Sequence, residues 1–258
     1  MNSRKTQLEL IDNLLNIMDE LRLKCPWDKK QTFESLRVLT IEETHELSEA
    51  IIDKDSKAIK SELGDLLLHI VFYSKIASEN QQFDIGDVSK SISEKLINRH
   101  PHIYKNTKVS SEKDVKQNWE ALKLKEGNDS IFSGIPNSLP EIIKSQRIQD
   151  KASGVGFEWK KTEHVWDKVK EEEKELINAI NLKNKISIEE EFGDLFFSLI
   201  NYSRFIKIDP ELALKKANKK FINRFKHIEK KIKSQNESIY NMSLNDFNIL
   251  WKEAKNKV

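Results

Sequence analysis

A chain of 258 residues is long enough for one large domain or two modest ones, each with its own buried core. One third of it is charged (33%), yet 44 Lys and Arg stand against 42 Asp and Glu, and a net charge of +2 argues against a general nucleic-acid binder or an acidic solvating tail. Cys25 is the only cysteine, so no intrachain disulfide forms, and no run approaches the ~18 apolar residues that cross a bilayer; a soluble cytoplasmic protein is expected.

Seven glycines and five prolines are few for this length, which favours long helices. The first is immediate: Leu8, Ile11, Leu14, Leu15, Met18 and Leu21 recur at helical spacing behind Arg4 and Lys5, unlike a signal peptide's continuous apolar run. Cys25-Pro26-Trp27-Asp28 follows. Then come Glu42-Glu43-Thr44-His45-Glu46 and, sixteen residues after Glu46, Glu62-Leu63-Gly64-Asp65, which runs into a helical stripe of Leu63, Leu66, Leu67, Ile70 and Val71. Lys95 and Arg99 stand four apart before His100-Pro101-His102, which reads as a turn because it lacks the further His or Cys partners of a zinc site. Trp119 and Lys123 close the half. Gly127, Gly134, Pro136 and Pro140 gather the chain breakers into a linker over 127–140, between expected domains 1–126 and 141–258. Ser138-Leu139-Pro140-Glu141 reads as a capping box opening a helix towards Ala152, and Gly154-Val155-Gly156 as a turn.

Beyond the linker the pattern returns. Glu171-Glu172-Glu173-Lys174-Glu175 is followed, again sixteen residues on, by Glu191-Phe192-Gly193-Asp194, and then by the stripe Phe192, Leu195, Phe196, Leu199 and Ile200. Lys220 and Arg224 match Lys95 and Arg99, and Trp251 with Lys255 matches Trp119 with Lys123. The acids are offset by 129 residues and the arginines by 125, so a connection is shorter in the second half. Two duplicated, all-α helical-bundle domains are expected.

Acids at i and i+3 share one helix face, so each copy gathers four carboxylates between two facing helices. Such a cluster repels itself unless protonated or bridged by a cation, and all-oxygen ligands suit Mg²⁺, Mn²⁺ or Ca²⁺. The acids border an apolar stripe, where an unpaired carboxylate is costly. Gly64 and Gly193 each cost their helix ~1 kcal/mol against alanine, and close helix approach beside a metal would account for them. Glu42-x-x-His45 resembles half of a di-iron motif, but Lys174 stands in the matching place of the second copy. Lys220 with Arg224 suits phosphate oxygens. Trp251 is either a base-stacking surface or a core residue. No Gly-x-x-x-x-Gly-Lys-Ser/Thr loop and no complete dinucleotide fingerprint is present. Acid-held metal with Lys and Arg suggests attack of water on a phosphoanhydride.

Taken together, Cys25-Pro26-Trp27-Asp28, both acid motifs, Arg99-His100-Pro101-His102, Gly156-Phe157-Glu158-Trp159 and Trp166-Asp167-Lys168-Val169 make the chain resemble the MazG nucleoside triphosphate pyrophosphohydrolases of the all-α NTP pyrophosphatase superfamily. The resemblance spans nearly the whole chain. It implies cleavage of nucleoside triphosphates between the α- and β-phosphates, with Mg²⁺ (or Mn²⁺), by a homodimer. It places metal ligands on Glu172, Glu175, Glu191 and Asp194, with Glu172 and Glu175 catalytic. Nucleotide contacts fall on Lys168, Val169, Lys170, Glu171 and Glu172; on Glu189, Glu190 and onward to Phe192 and Asp194; on Lys220, Phe221 and Arg224; and on Trp251 and Lys255. The first-half counterparts are Glu43, Glu46, Glu62 and Asp65, with His45 where a tyrosine is more usual, and the resemblance makes the second half the main catalyst. The alternative is a regulatory module that holds nucleotides, or a small GTPase partner, with little turnover.

Overall fold

A computed structural model describes residues 2–107, 109, 111, 115, 118–119, 129–235 and 237–257. Lys123, Gly127 and the expected boundary at 126/127 lie outside these residues. All regular structure among the described residues is helical, and the chain divides into compact units Met1–Lys108 and Val109–Val258.

The first unit contains α1 (Arg4–Lys24), α2 (Phe33–Ile52), α3 (Ser56–Glu79), α4 (Ile85–Arg99) and the single turn α5 (Pro101–Tyr104). Helices α2 and α3 pair along their length, and α1 and α4 pack on α3. Their core is Met18 from α1, Leu36 from α2, and Val71, Phe72 and Ile76 from α3. The second unit contains α6 (Glu141–Gly154), α7 (Thr162–Asn181), α8 (Lys185–Phe205), α9 (Pro210–Ser234) and α10 (Leu244–Lys257). Here α7 and α8 form the central pair, α6 packs on α8, and α10 folds back on α9 around Ile228, Ile232, Leu250 and Ala254.

The joints repeat as faithfully as the acids. Lys54 and Lys183, 129 residues apart, both turn left-handed at φ 56° and 55°. Each precedes a side-chain cap: Asp55 accepts from the backbone N–H of Lys57 and Ala58, and Asn184 from that of Ile186 and Ser187. These caps satisfy orphan donors at the start of α3 and α8 and fix where each second acid pair begins. Asp84 and Asp209, 125 residues apart, cap α4 and α9. The shorter connection therefore lies between the two caps of each unit, from Asp55 to Asp84 in the first and from Asn184 to Asp209 in the second. Helix α8 has 21 residues against 24 in α3, and the following loop loses one more.

Four expectations need correction. Helix α6 starts at Glu141 with Pro140 as its N-cap and no side-chain cap, so Ser138 forms no capping box. A helix entered from Ser138 would need Leu139 in α geometry, which the following proline disfavours. The His100-Pro101-His102 turn continues as α5, with Pro101 in its first turn. A Cβ at Gly64 or Gly193 would meet nothing within 4 Å, so close helix approach inside the chain does not explain either glycine. The apolar stripes are only partly covered: Val71 and Ile200 are buried, but Leu63, Ile70, Phe192, Phe196 and Leu199 are exposed.

The Asn184 cap should be worth about 1 kcal/mol. Urea unfolding of Asn184→Ala should show a loss of that order, with Asn184→Asp close to the wild type. An alanine variant as stable as the parent would mean the cap does not hold the α7–α8 joint.

Candidate metal centre and adjoining cavity

On α7, Val165, Val169, Glu172 and Ala179 are the buried positions, at spacings that trace one helix face. Glu172 thus occupies a core slot and is 6% exposed. A carboxylate there needs partners. Lys168, one turn earlier, places Nζ 2.7 Å from Glu172 and 2.9 Å from Glu171, and these hydrogen bonds, Glu172's first, raise the lysine's pKa. Lys170 points elsewhere, to Asp167 at 3.1 Å.

Glu172 and Glu175 from α7 and Glu191 from α8 bring carboxylate oxygens within 4.8 Å of one another. Asp194, one turn beyond Glu191, lines the cavity that Glu172 also lines. The pKa of Glu175 is raised, first by loss of solvent around its carboxyl, then by a hydrogen bond with Glu172 and by the charges of Glu172 and Glu191. In the first unit Glu43, Glu46 and Glu62 converge equally closely. Burial, then the charges of Asp65, Glu46, Glu62 and Glu42, raise Glu43. Both clusters are all-oxygen and self-repelling, a donor set that fits a hard divalent cation.

The other expected contacts divide. Glu189 and Glu190 are exposed on α8, and Val169 is buried in the core. Phe221 and Arg224 on α9 both meet Trp251 on α10, with ring centroids 5.0 Å apart for Phe221 and the guanidinium 5.9 Å from the indole centre. Trp251 also packs at the edge of the α9–α10 core. Lys220 and Lys255 are exposed. The charges acting on Glu175 come from Glu172, Glu191 and Lys168.

Beside the acids opens a cavity of about 650 Å³. Lys168, Glu172 and Asp194 stand at one part of its wall, and Phe132, Phe157, Trp159 and Phe197 supply much of the rest. Lys151, buried in α6, donates to the carbonyls of Ile131 at 2.8 Å and Ser133 at 3.4 Å, which ties the segment bearing Phe132 to the cavity wall. Arg204 bonds both Glu158 and Asn201 and closes another side. At the 129-residue offset, Leu39, His69 and Phe72 stand in the first unit where Lys168, Ser198 and Asn201 stand in the second. Phe72 is in the core, Leu39 packs against that core, and His69 is buried, so apolar groups and a ring stand where the second unit has a lysine, a serine and an asparagine.

The sequence matches the family model of the MazG nucleotide pyrophosphohydrolase domain twice, over residues 31–104 and 160–229, one match for each acid-bearing helix pair. The chain belongs to the MazG family. It is 43% identical over 251 residues to the nucleoside triphosphate pyrophosphohydrolase/pyrophosphatase MazG of Thermotoga maritima, covering 95% of this chain and 96% of the relative. It is 37% identical over 254 residues to the nucleoside triphosphate pyrophosphohydrolase of Escherichia coli, covering 95% and 97%. The uncharacterized protein YabN of Bacillus subtilis is 43% identical over 235 residues, 90% of this chain but 48% of that longer protein.

Phe132, Gln149, Phe157 and Trp159 of the cavity fall outside both MazG segments. Sequence reading noted Phe157 and Trp159 only as a motif and missed Gln149, Asn201 and Arg204. Gln149 lies some fifty residues before Asn201 and Arg204, and a glutamine or asparagine on a helix reads as solvated until its neighbours are known.

The raised carboxyls set a sign for pH dependence. A group whose pKa the fold raises contributes stability below its unfolded value, and that contribution is lost as pH rises through the folded value. At pH 7 in EDTA, Glu175→Gln should therefore melt at or above the wild-type temperature, and the wild type should lose part of its stability as pH rises out of the raised carboxylate range. Mg²⁺ should raise the melting temperature of the wild type more than that of the variant. A lower melting temperature for Glu175→Gln in EDTA would contradict the crowding.

Proposed function

We propose that the second unit hydrolyses nucleoside triphosphates between the α- and β-phosphates, releasing nucleoside monophosphate and pyrophosphate, with Mg²⁺, or Mn²⁺ in its place. The observation that carries this reading is the convergence of Glu172, Glu175 and Glu191 beside Lys168 at a cavity large enough for a nucleoside. The activities for which the Thermotoga and Escherichia coli relatives are named support it, and both align over nearly their whole length.

Glu172, Glu175, Glu191 and Asp194 would hold the cation. When bound, it neutralises phosphate charge and lowers the pKa of a coordinated water. Water supplies the new oxygen on phosphorus, the bridging P–O bond breaks, and pyrophosphate leaves. Glu175, the more exposed of the two catalytic candidates, would accept the water's proton. Lys168 supplies positive charge to the phosphates, and Lys220, Arg224 and Lys255 add phosphate contacts.

A homodimer is part of the proposal. Phe192, Phe196 and Leu199 lie on one exposed face of α8, and Gly193 beside them leaves room for another backbone. A second copy over that face would bury them. Leu39, His69 and Phe72 in place of Lys168, Ser198 and Asn201 favour a different role in the first unit: a cluster that holds cation, nucleotide or a small GTPase partner with little turnover. We assign the reaction to the cytoplasm; among the described residues no helix is long and apolar enough to cross a membrane.

Chromatography of ATP or GTP digests should show monophosphate and pyrophosphate, and EDTA should abolish turnover. Diphosphate with orthophosphate would overturn the reading. Glu172→Gln or Asp194→Asn should lower turnover by about a hundredfold or more, as loss of a group acting on transition-state charge does. Glu43→Gln or Asp65→Asn should cost less than about tenfold. Equal or reversed losses, with circular dichroism unchanged, would refute the assignment to the second unit.

A further inference from the structure

Beside the first unit's acids lies a polar group that the described residues leave unsatisfied. His69 on α3 is 7% exposed, and its buried ring nitrogen Nδ1 has no hydrogen-bond partner among them. Glu62, Asp65, His69 and Tyr73 follow at spacings of three, four and four, which trace one face of α3. Two contacts show that this face is turned to α2. At one end Glu62 brings its carboxylate within 4.8 Å of those of Glu43 and Glu46. At the other, the Tyr73 and Thr40 hydroxyls bond at 2.7 Å, and the His69 ring stands edge-on to that of Tyr73, with centroids 6.4 Å apart. His69 therefore lies in the α2–α3 seam, between the tyrosine contact and the acids.

Asp65 links the two groups. It stands one helical turn from His69 and is the charged group that acts on the ring, and its charge is also the largest of those acting on Glu43. Were the imidazole simply one more donor beside these acids, a carboxylate oxygen would accept from Nδ1, and none does. A bare nitrogen and mutually repelling oxygens are satisfied together by one group, a cation shared between them. The second unit lacks this nitrogen. At the 129-residue offset Ser198 stands in place of His69, and its Oγ donates to the Leu195 carbonyl of its own helix at 2.9 Å.

We propose that Glu43, Asp65 and His69 form a mixed nitrogen–oxygen site in the first unit, which takes a transition-metal cation such as Zn²⁺ in preference to Mg²⁺. Carboxylates alone suit Mg²⁺, whereas an imidazole ligand moves the preference towards Zn²⁺. Asp65 and His69, at i and i+4, project side by side from one helix, a spacing that suits two ligands of one metal, and Glu43 comes from the facing helix. A cation held there ties α2 to α3 and serves structure, while the oxygen-only cluster of the second unit keeps the hard cation. This rests on the cation-holding role given above to the first unit and is independent of the hydrolase reading. His45 is the other imidazole beside these acids in sequence, but it is exposed and two residues from Glu43, on another side of α2.

The test uses the full-length protein, stripped with EDTA and held in excess Mg²⁺ so that oxygen-only sites are filled. Zn²⁺ affinity is read by competition with a chromophoric chelator. The wild type should bind one Zn²⁺ per chain tightly, and X-ray absorption at the zinc edge should show the outer-shell scattering of an imidazole ring. His69→Gln should weaken Zn²⁺ binding by about tenfold or more, as loss of a supporting group at a metal site does. Its rise in melting temperature with Mg²⁺ should match that of the wild type, and His45→Gln should bind Zn²⁺ as the wild type does. Zinc without imidazole scattering in the wild type would overturn the nitrogen ligand, even where His69→Gln fails to fold. Equal Zn²⁺ affinity in a folded His69→Gln, or the loss appearing in His45→Gln instead, would overturn it as well. If Asp65→Asn also leaves Zn²⁺ affinity unchanged, the first unit's cation-holding role falls too, and turnover of triphosphates in Mg²⁺ decides the hydrolase reading separately.

Discussion

Like charges forced together between paired helices are the constraint on which this structure turns. In each unit two acids on one helix and one on the next bring their oxygens within 4.8 Å. Helical spacing sets the acids on one face, and the capped joint after Lys54 or Lys183 sets the register of the second helix. Glu172 shows the extent of the imposition, because it fills a slot that Val165 and Val169 define as core. A fold that buries a carboxylate beside two others has stability to recover when a cation arrives.

The two halves share this constraint and differ in what surrounds it. In the second unit Lys168 meets the buried glutamate, and the space behind it stays open between α6, α7 and α8. In the first, Leu39 and Phe72 belong to the core and its border, Phe33 stacks on Tyr73, and Tyr73 bonds Thr40 at 2.7 Å. Duplication has thus kept the charge arrangement twice and changed the residues around it. A residue inventory limited to acids, Lys–Arg pairs and tryptophans cannot see that difference; Lys168 against Leu39 and Asn201 against Phe72 make it visible.

Much of this was legible in the sequence because helices encode it locally. The i, i+3 acids, the equal gaps and the 129-residue offset gave the helix pairs and their facing carboxylates. What stayed hidden depended on chain segments meeting in space. The Ser138 capping box failed on a local rule, the restriction a proline places on Leu139. The glycines misled because the face they open is turned outward, and the apolar stripes of α3 and α8 are wider than one chain covers. The cavity joins residues from 132 to 204 with no common period. Gln149 showed its buried place only once its amide was seen bonded to the Phe197 carbonyl.

The claim at the centre is that the second unit's carboxylates hold a divalent cation. The most direct measurement is anomalous diffraction at the manganese edge from crystals of the full-length protein grown with Mn²⁺. The account predicts a peak within coordinating distance of Glu172, Glu175 and Glu191, absent from Glu172→Gln crystals grown the same way. Manganese bound elsewhere in the second unit, or a peak that persists unchanged without the Glu172 carboxylate, would contradict it.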